Sequence, residues 1–303
     1  MSKKMLLLFV LSLAFIVCAS TSLNLFAQTA VTGDWTASLV DKGDKINLNF
    51  GLRDDKAERT NKHQFGQTYD FAELGLSREQ VVNGGPVRFS LAREAGNIDC
   101  EGTFQNSKGS GTFRFTPNPA FVSGMKIRGF DFEKYSVADK NPRENKLFVA
   151  AALNVTTALA DDLASAGFKL DIDDLFKAAI FKIDSSFMRE MAATGFPNLG
   201  MEDLVKARIF KIDPEFVRQT NQMGFGKQSM EELVKLRIFK VTPEFIAEMR
   251  NEGLSDLSIE DLVKLQIFKI DGEFIRQAKA DGVPVQVERL VQRRLGIDHR
   301  RAL

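Results

Sequence analysis

A repeat constrains this chain more than any other feature. Phrases opening at Asp184, Asp213 and Thr242 follow one another every 29 residues, and a further copy opens at Asp271. The three full copies end on Ile-Phe-Lys-Ile or Ile-Phe-Lys-Val. A fixed period of this size marks an array in which each unit buries its apolar side against its neighbours.

The copy from Thr242 shows what one unit is. Thr242 is placed to cap a helix, and Pro243 suits its first position, where no N–H is needed. Phe245, Ile246 and Met249 share one helical face, and Gly253 supplies a left-handed stop. Ser258 to Asp261 has capping-box form, with Asp in place of Glu or Gln. Ile259, Leu262, Val263 and Leu265 give a second helix its apolar side. Each unit is therefore expected to be a helical hairpin with helices of roughly ten residues, too short to stand alone in water. The columns Phe187, Phe216, Phe245, Phe274 and Leu175, Leu204, Leu233, Leu262 are expected to be core.

Extended in both directions, the pattern gives units 117–155, 156–183, 184–212, 213–241, 242–270 and 271–297, with a tail at 298–303. The first is divergent. Phe121, Met125, Gly129 and Phe130, then Leu147 to Val155, keep the spacing around an insertion near 131–145. The last is shortened, as a capping unit should be.

Residues 32–116 have period two instead. Ile46, Leu48, Phe50 and Leu52 alternate with polar residues, as do Val87, Phe89 and Leu91, and Phe113 and Phe115. Gly and Asn punctuate the stretches between them. About six half-buried antiparallel strands are expected, with a polar loop over 54–64 and a helical turn over 77–82. The expected fold class is α+β in two domains: a small antiparallel sandwich or open barrel, then an α-solenoid of helical hairpins. Gly33-Asp-Trp35 resembles the Gly-x-Trp opening of lipocalin-like barrels. Trp35 is read as a core plug, or alternatively as the end of a ligand cup.

Met1 to Ala27 reads as a signal peptide, with Lys3 and Lys4 ahead of an apolar run over Met5–Val17. Export to the periplasm or beyond is expected. Cys18 leaves a lipoprotein or a retained anchor as the lesser alternative. Removal of the leader would leave Cys100 as the single cysteine, without an internal disulfide. The mature chain has no apolar run of membrane-spanning length.

Catalytic signatures are missing. The two histidines, His63 and His299, belong to no metal-ligand pattern, and no nucleophile stands near an evident base. No enzyme activity, metal or cofactor is expected. The net charge of +1 does not point to nucleic acid. Two lysine columns recur with the repeat. Lys177, Lys206, Lys235 and Lys264 are open to an i,i+4 reading through Glu202, Glu231 and Glu260. Lys182, Lys211, Lys240 and Lys269 follow the second helices and suit their C-termini. With Arg189, Arg218 and Arg276 they form the candidate ladder for a partner.

The phrase Ser258-Ile-Glu-Asp-Leu-Val-Lys264 and its copies, with the Ile-Phe-Lys ending and the Thr-Pro-Glu-Phe that follows Val241, resembles repeats in exported regions of some bacterial proteins. These include repeats attached to membrane metalloproteases of the β-lactam-sensing antirepressor type. The resemblance covers about 117–297, and Gly111 to Pro119 is similar to the segment preceding such repeats. It implies the accessory, partner-facing module alone, because the multi-span region and zinc motif of the protease are missing here. The function expected is a non-catalytic interaction or scaffold module of the bacterial envelope. The alternative makes the β domain a binder of a small apolar ligand or glycan, with the repeats as scaffold.

Overall fold

The computed structural model describes residues 31–40, 45–52, 64–135, 145–196 and 199–297. The expected leader, Cys18, His63, most of the 54–64 loop, His299 and the tail lie outside them. The chain divides into two compact units, Met1–Asn154 and Val155–Leu303.

The first unit is one curled six-strand antiparallel sheet, an open half-barrel. Its strands are β1 (Val31–Leu39), β2 (Lys45–Leu52), β3 (Gln64–Asp70), β4 (Gly85–Arg93), β5 (Gly96–Gln105) and β6 (Lys108–Pro117), in the order β3-β2-β1-β6-β5-β4. Of the two expected forms, the sandwich is not what forms. β1 pairs with β2 on one side and β6 on the other along nearly its whole length, so the sheet is continuous. The period-two pattern works as expected. Ile46, Leu48, Phe50, Phe89, Leu91, Ile98, Cys100, Phe113 and Phe115 all face inward and are buried. Glycine permits the curl where Trp35 crosses. Gly102 opposes Gly111, and a Cβ on Gly102 would meet the indole at 2.6 Å.

Two short helices, α1 (Phe71–Leu74) and α2 (Arg78–Asn83), follow β3. α2 carries a reciprocal Ser77/Gln80 capping box at the expected helical turn. After β6 come α3 (Pro119–Ile127), a 3₁₀ turn (Phe132–Tyr135) and α4 (Lys146–Ala152).

These last elements depart from the reading of 117–155 as a first repeat. They belong to the sheet's own unit, which ends at Asn154. The reason is aromatic burial. Phe148 on α4 is fully buried and stacks on Phe113 at 5.3 Å, with Phe50 and Phe115 edge-on at 5.4 and 5.5 Å. The Tyr69 hydroxyl donates to the Ala152 carbonyl at 2.9 Å. A half-barrel leaves its inner face open, and α4 fills it.

The second unit contains ten helices among the described residues. First helices of the sequence copies are α5 (Thr157–Ser165), α7 (Ser185–Ala193), α9 (Pro214–Gln222), α11 (Pro243–Asn251) and α13 (Gly272–Ala280). Second helices are α6 (Ile172–Phe181), α8 (Met201–Ile209), α10 (Met230–Ile238), α12 (Ile259–Ile267) and α14 (Val287–Arg294). Contacts run α6 to α8, α8 to α10, α10 to α12 and α12 to α14, so the second helices lie side by side in chain order.

Local chemistry explains the boundaries. The side chains of Asp184, Asp213, Thr242 and Asp271 each accept from the backbone N–H three residues on, at 2.7–3.2 Å. The leucine column is fully buried, whereas in the phenylalanine column Phe187 and Phe216 are buried and Phe245 and Phe274 half-buried. Pro214 and Pro243 open α9 and α11 without an N–H. Where α7 and α13 open instead on Ser185 and Gly272, the preceding hairpin supplies an acceptor: Asp162 for the Ser185 N–H at 2.8 Å, Glu248 for Gly272 at 2.9 Å. The Asp162 carboxyl is held below the usual carboxylate range, chiefly by the Ser185 hydroxyl.

Candidate functional site

The second helices carry three rows of side chains that cross from hairpin to hairpin. The first is the Lys177, Lys206, Lys235, Lys264 column. Lys206, Lys235 and Lys264 do not pair with the glutamates four residues back. Lys177 reaches Glu202 at 2.6 Å, Lys206 reaches Glu231 at 2.7 Å, Lys235 reaches Glu260 at 3.0 Å and Lys264 reaches Glu288 at 3.3 Å, each in the next hairpin. The physical reason is geometric ambiguity. Lys206 has Glu202 four residues before it and Glu231 25 residues after it, and the side chain reaches the second of these, on the adjacent helix. These hydrogen bonds raise the Lys177 and Lys206 ammonium pKa values and hold Glu231 and Glu260 below the ordinary carboxylate range. The column is therefore a seam between units and presents no free cations.

The second row joins the same helices at their C-terminal ends. Arg208 donates to the Lys182 carbonyl at 2.8 Å, Arg237 to that of Lys211 at 2.6 Å, and Gln266 to that of Lys240 at 3.3 Å. Arg294 binds the Phe268 carbonyl at 2.9 Å and also that of Lys269. The guanidiniums of Arg208 and Arg237 each lie 3.8 Å over the rings of Phe187 and Phe216, and Arg294 lies 4.1 Å over Phe274. Each clasp thus pins the preceding turn, and the three arginines also pin the first helix of their own copy. Sequence reasoning missed these residues, although the recurrence of Arg208, Arg237 and Gln266 just before Ile-Phe-Lys was a usable signal.

The candidate lysines Lys182, Lys211, Lys240 and Lys269 form a coherent row of their own. Each is exposed and left-handed, with φ of 55, 55, 53 and 52°. Each closes a Schellman turn: the N–H groups of Ile183, Ile212, Val241 and Ile270 return to Ala178, Ala207, Leu236 and Leu265 at 2.8–3.0 Å. Among the described residues their ammonium groups make no ion pair. The candidate arginines stand apart on first helices and are already engaged. Arg189 donates to the Ser185 hydroxyl at 2.9 Å, Arg218 meets Glu215 at 2.7 Å and Arg276 meets Glu252 at 2.5 Å. The four lysines thus end the second helices, and the three arginines stand on first helices.

Between the ion-pair seam and the lysine row runs an apolar row. Three residues beyond each seam lysine, on the same helical face, stand Ile180, Ile209, Ile238 and Ile267. They are 46, 53, 51 and 51 % exposed, and Leu295 continues the row at 55 %.

The sheet unit offers no comparable feature at Trp35. That residue is wholly buried, edge-on to Phe89 at 5.2 Å and tilted on Phe104 at 5.8 Å, with its N–H on the Glu101 carbonyl at 3.2 Å. No face of the indole is left for a ligand. Cys100 is buried too, and burial pushes its thiol pKa upward. The outer face of β4–β6 is an open polar surface where Arg88 meets Glu101 at 3.6 Å.

Among the described residues no group of three His, Cys, Asp or Glu side chains is placed to hold a metal, and no single helix is long and apolar enough to cross a membrane. Comparison of the chain with protein-family models, curated proteins and solved structures gave no match.

Proposed function

We propose that this chain is a non-catalytic interaction or scaffold module of the bacterial envelope, exported by its N-terminal leader. In this reading the second unit is an α-solenoid of helical hairpins with a 29-residue period, and the face made by its second helices receives a protein partner. The resemblance to repeats appended to envelope metalloproteases fits a partner-facing role.

The observation that carries the reading is the isoleucine row. Single exposed apolar residues are ordinary, but a row at one position of consecutive helices is a continuous apolar strip of the kind that marks a binding surface. The Leu175, Leu204, Leu233 and Leu262 column already supplies the buried side of the same helices.

The test is capture from an envelope extract by the full chain, compared with a variant carrying Ile209→Ser, Ile238→Ser and Ile267→Ser. The same protein should be recovered repeatedly by the native chain and lost with the variant, whose helical content is unchanged. Equal recovery by both chains contradicts the reading.

A further inference from the structure

The partner's chemistry can be read from what borders the isoleucine row, an inference that rests on the interaction reading above. We propose that the isoleucine row and the Lys182, Lys211, Lys240, Lys269 row together bind an acidic amphipathic α-helix. It lies across the second helices with apolar residues on the isoleucines and carboxylates against the lysines.

The lysines carry the first part of the case. A left-handed residue ends both helices of each hairpin, but the two rows fill that position differently. First helices end on Gly167, Gly195, Gly224, Gly253 and Gly282, all at positive φ. Second helices end on Lys182, Lys211, Lys240 and Lys269, where a Cβ makes this conformation unfavourable. The last second helix, beyond which no further hairpin follows among the described residues, returns to Gly296. Glycine would close the same turn with less strain, so lysine's contribution lies in its side chain. That side chain is exposed and makes no ion pair with any described residue. Each lysine follows an exposed isoleucine by two residues, so cation and apolar rung travel together.

Geometry selects the form of the occupant. Neighbouring helices pack about 10 Å apart, so the rungs recur at about that distance. A helix rises that far in roughly seven residues, returning to the same side after two turns. A β-strand covers it in roughly three residues, which puts successive side chains on opposite faces. A strand would also need backbone partners, and the carbonyls at this edge are already held by Arg208, Arg237, Gln266 and Arg294. A helix brings its backbone satisfied.

The seam on the far side selects a narrow occupant. Glu202, Glu231, Glu260 and Glu288 stand there, 59–71 % exposed. A broad anionic surface such as a lipid bilayer would be pressed onto those carboxylates. A single helix seated between seam and lysine row avoids them.

The experiment uses the full chain and a fluorescent synthetic helix of about 28 residues, long enough for four rung intervals. It carries Leu at every seventh position and Glu one turn away. Its counterpart has each Glu replaced by Lys. Anisotropy should show saturable, salt-sensitive binding of the acidic helix, about tenfold or more tighter than the basic one. The preference should disappear in a Lys211→Gln, Lys240→Gln, Lys269→Gln variant, and binding itself in the Ile209→Ser, Ile238→Ser, Ile267→Ser variant. Circular dichroism of both variants should match the native chain. Equal affinity for the two helices, no saturable binding, preferential binding of vesicles rich in anionic lipid, or closure of the row by self-association in sedimentation would each overturn the proposal. Failure here with isoleucine-dependent capture from the extract overturns only the acidic helix. Failure of both removes the interaction reading as well.

Discussion

The sheet unit and the helical unit solve the same problem in opposite ways. The open half-barrel is filled from within its own unit by α4. Its aromatic side chains converge on Phe148, and Trp35 is buried without a free face. Helices of the helical unit are instead tied to helices about 25 residues away, through ion pairs, arginine clasps and borrowed carboxylate caps. Stability in the first comes from enclosed apolar volume, in the second from polar seams between short apolar cores. Among the described residues, only the second leaves a row of large apolar side chains in water.

The largest expected effect breaks the enclosed core. Phe148→Ala should cost the sheet unit about 3–5 kcal/mol. Trp35 is the only tryptophan, so its fluorescence reports the sheet unit alone while far-UV circular dichroism is dominated by the helices. Chemical denaturation should show the fluorescence transition moved far to lower denaturant and the helical transition nearly in place. Equal movement of both would break the contrast between the units.

Next comes a clasp. Arg237→Ala removes the guanidinium from the Phe216 ring and from the Lys211 carbonyl, and should cost about 1–3 kcal/mol. The loss should appear in the helical transition and spare Trp35 fluorescence.

A smaller change of opposite sign sharpens the case for the lysines. Lys211→Gly relieves a left-handed Cβ and should stabilise the helical unit by up to about 1 kcal/mol, less the entropy that glycine adds to the unfolded chain. A destabilisation would mean that the lysine side chain serves the fold.

Acid and alkali should also bear differently on the two units. Glu231 and Glu260 have depressed folded-state pKa values, set first by hydrogen bonds from Lys206 and Lys235. Their contribution is present above the unfolded carboxylate value of about 4.3 and is lost as pH falls through the folded value. In the sheet unit, burial raises the pKa of the Tyr69 phenol and the Cys100 thiol. Their contribution is present below unfolded values of about 10 and 8.5, and is lost as pH rises. Acid should therefore loosen the helical transition first, and alkali the Trp35 transition. Glu231→Gln should flatten the acid response.

Much of this was legible in the sequence, for identifiable reasons. N-caps at Asp184, Asp213 and Thr242, the buried leucines and the strand alternation around Ile46 and Phe89 follow from local chemistry and periodicity. What stayed hidden depended on neighbours. Spacing alone gives Lys206 two equivalent glutamates, one in its own helix and one in the next. Leu147 to Val155 keeps the repeat's apolar spacing, but Phe148 is claimed by the open half-barrel. Ile209 and Ile238 have the side chains of core residues, and only the placement of the adjacent helices shows them facing water.

The central claim is that the face formed by the second helices docks a protein, and site-specific photo-crosslinking in the producing cells tests it most directly. A photoreactive residue at position 238, in the isoleucine row, should give one discrete adduct. The same residue at position 244, exposed on a first helix, should give none. Adducts of equal yield from both positions, or none from position 238, would contradict the account.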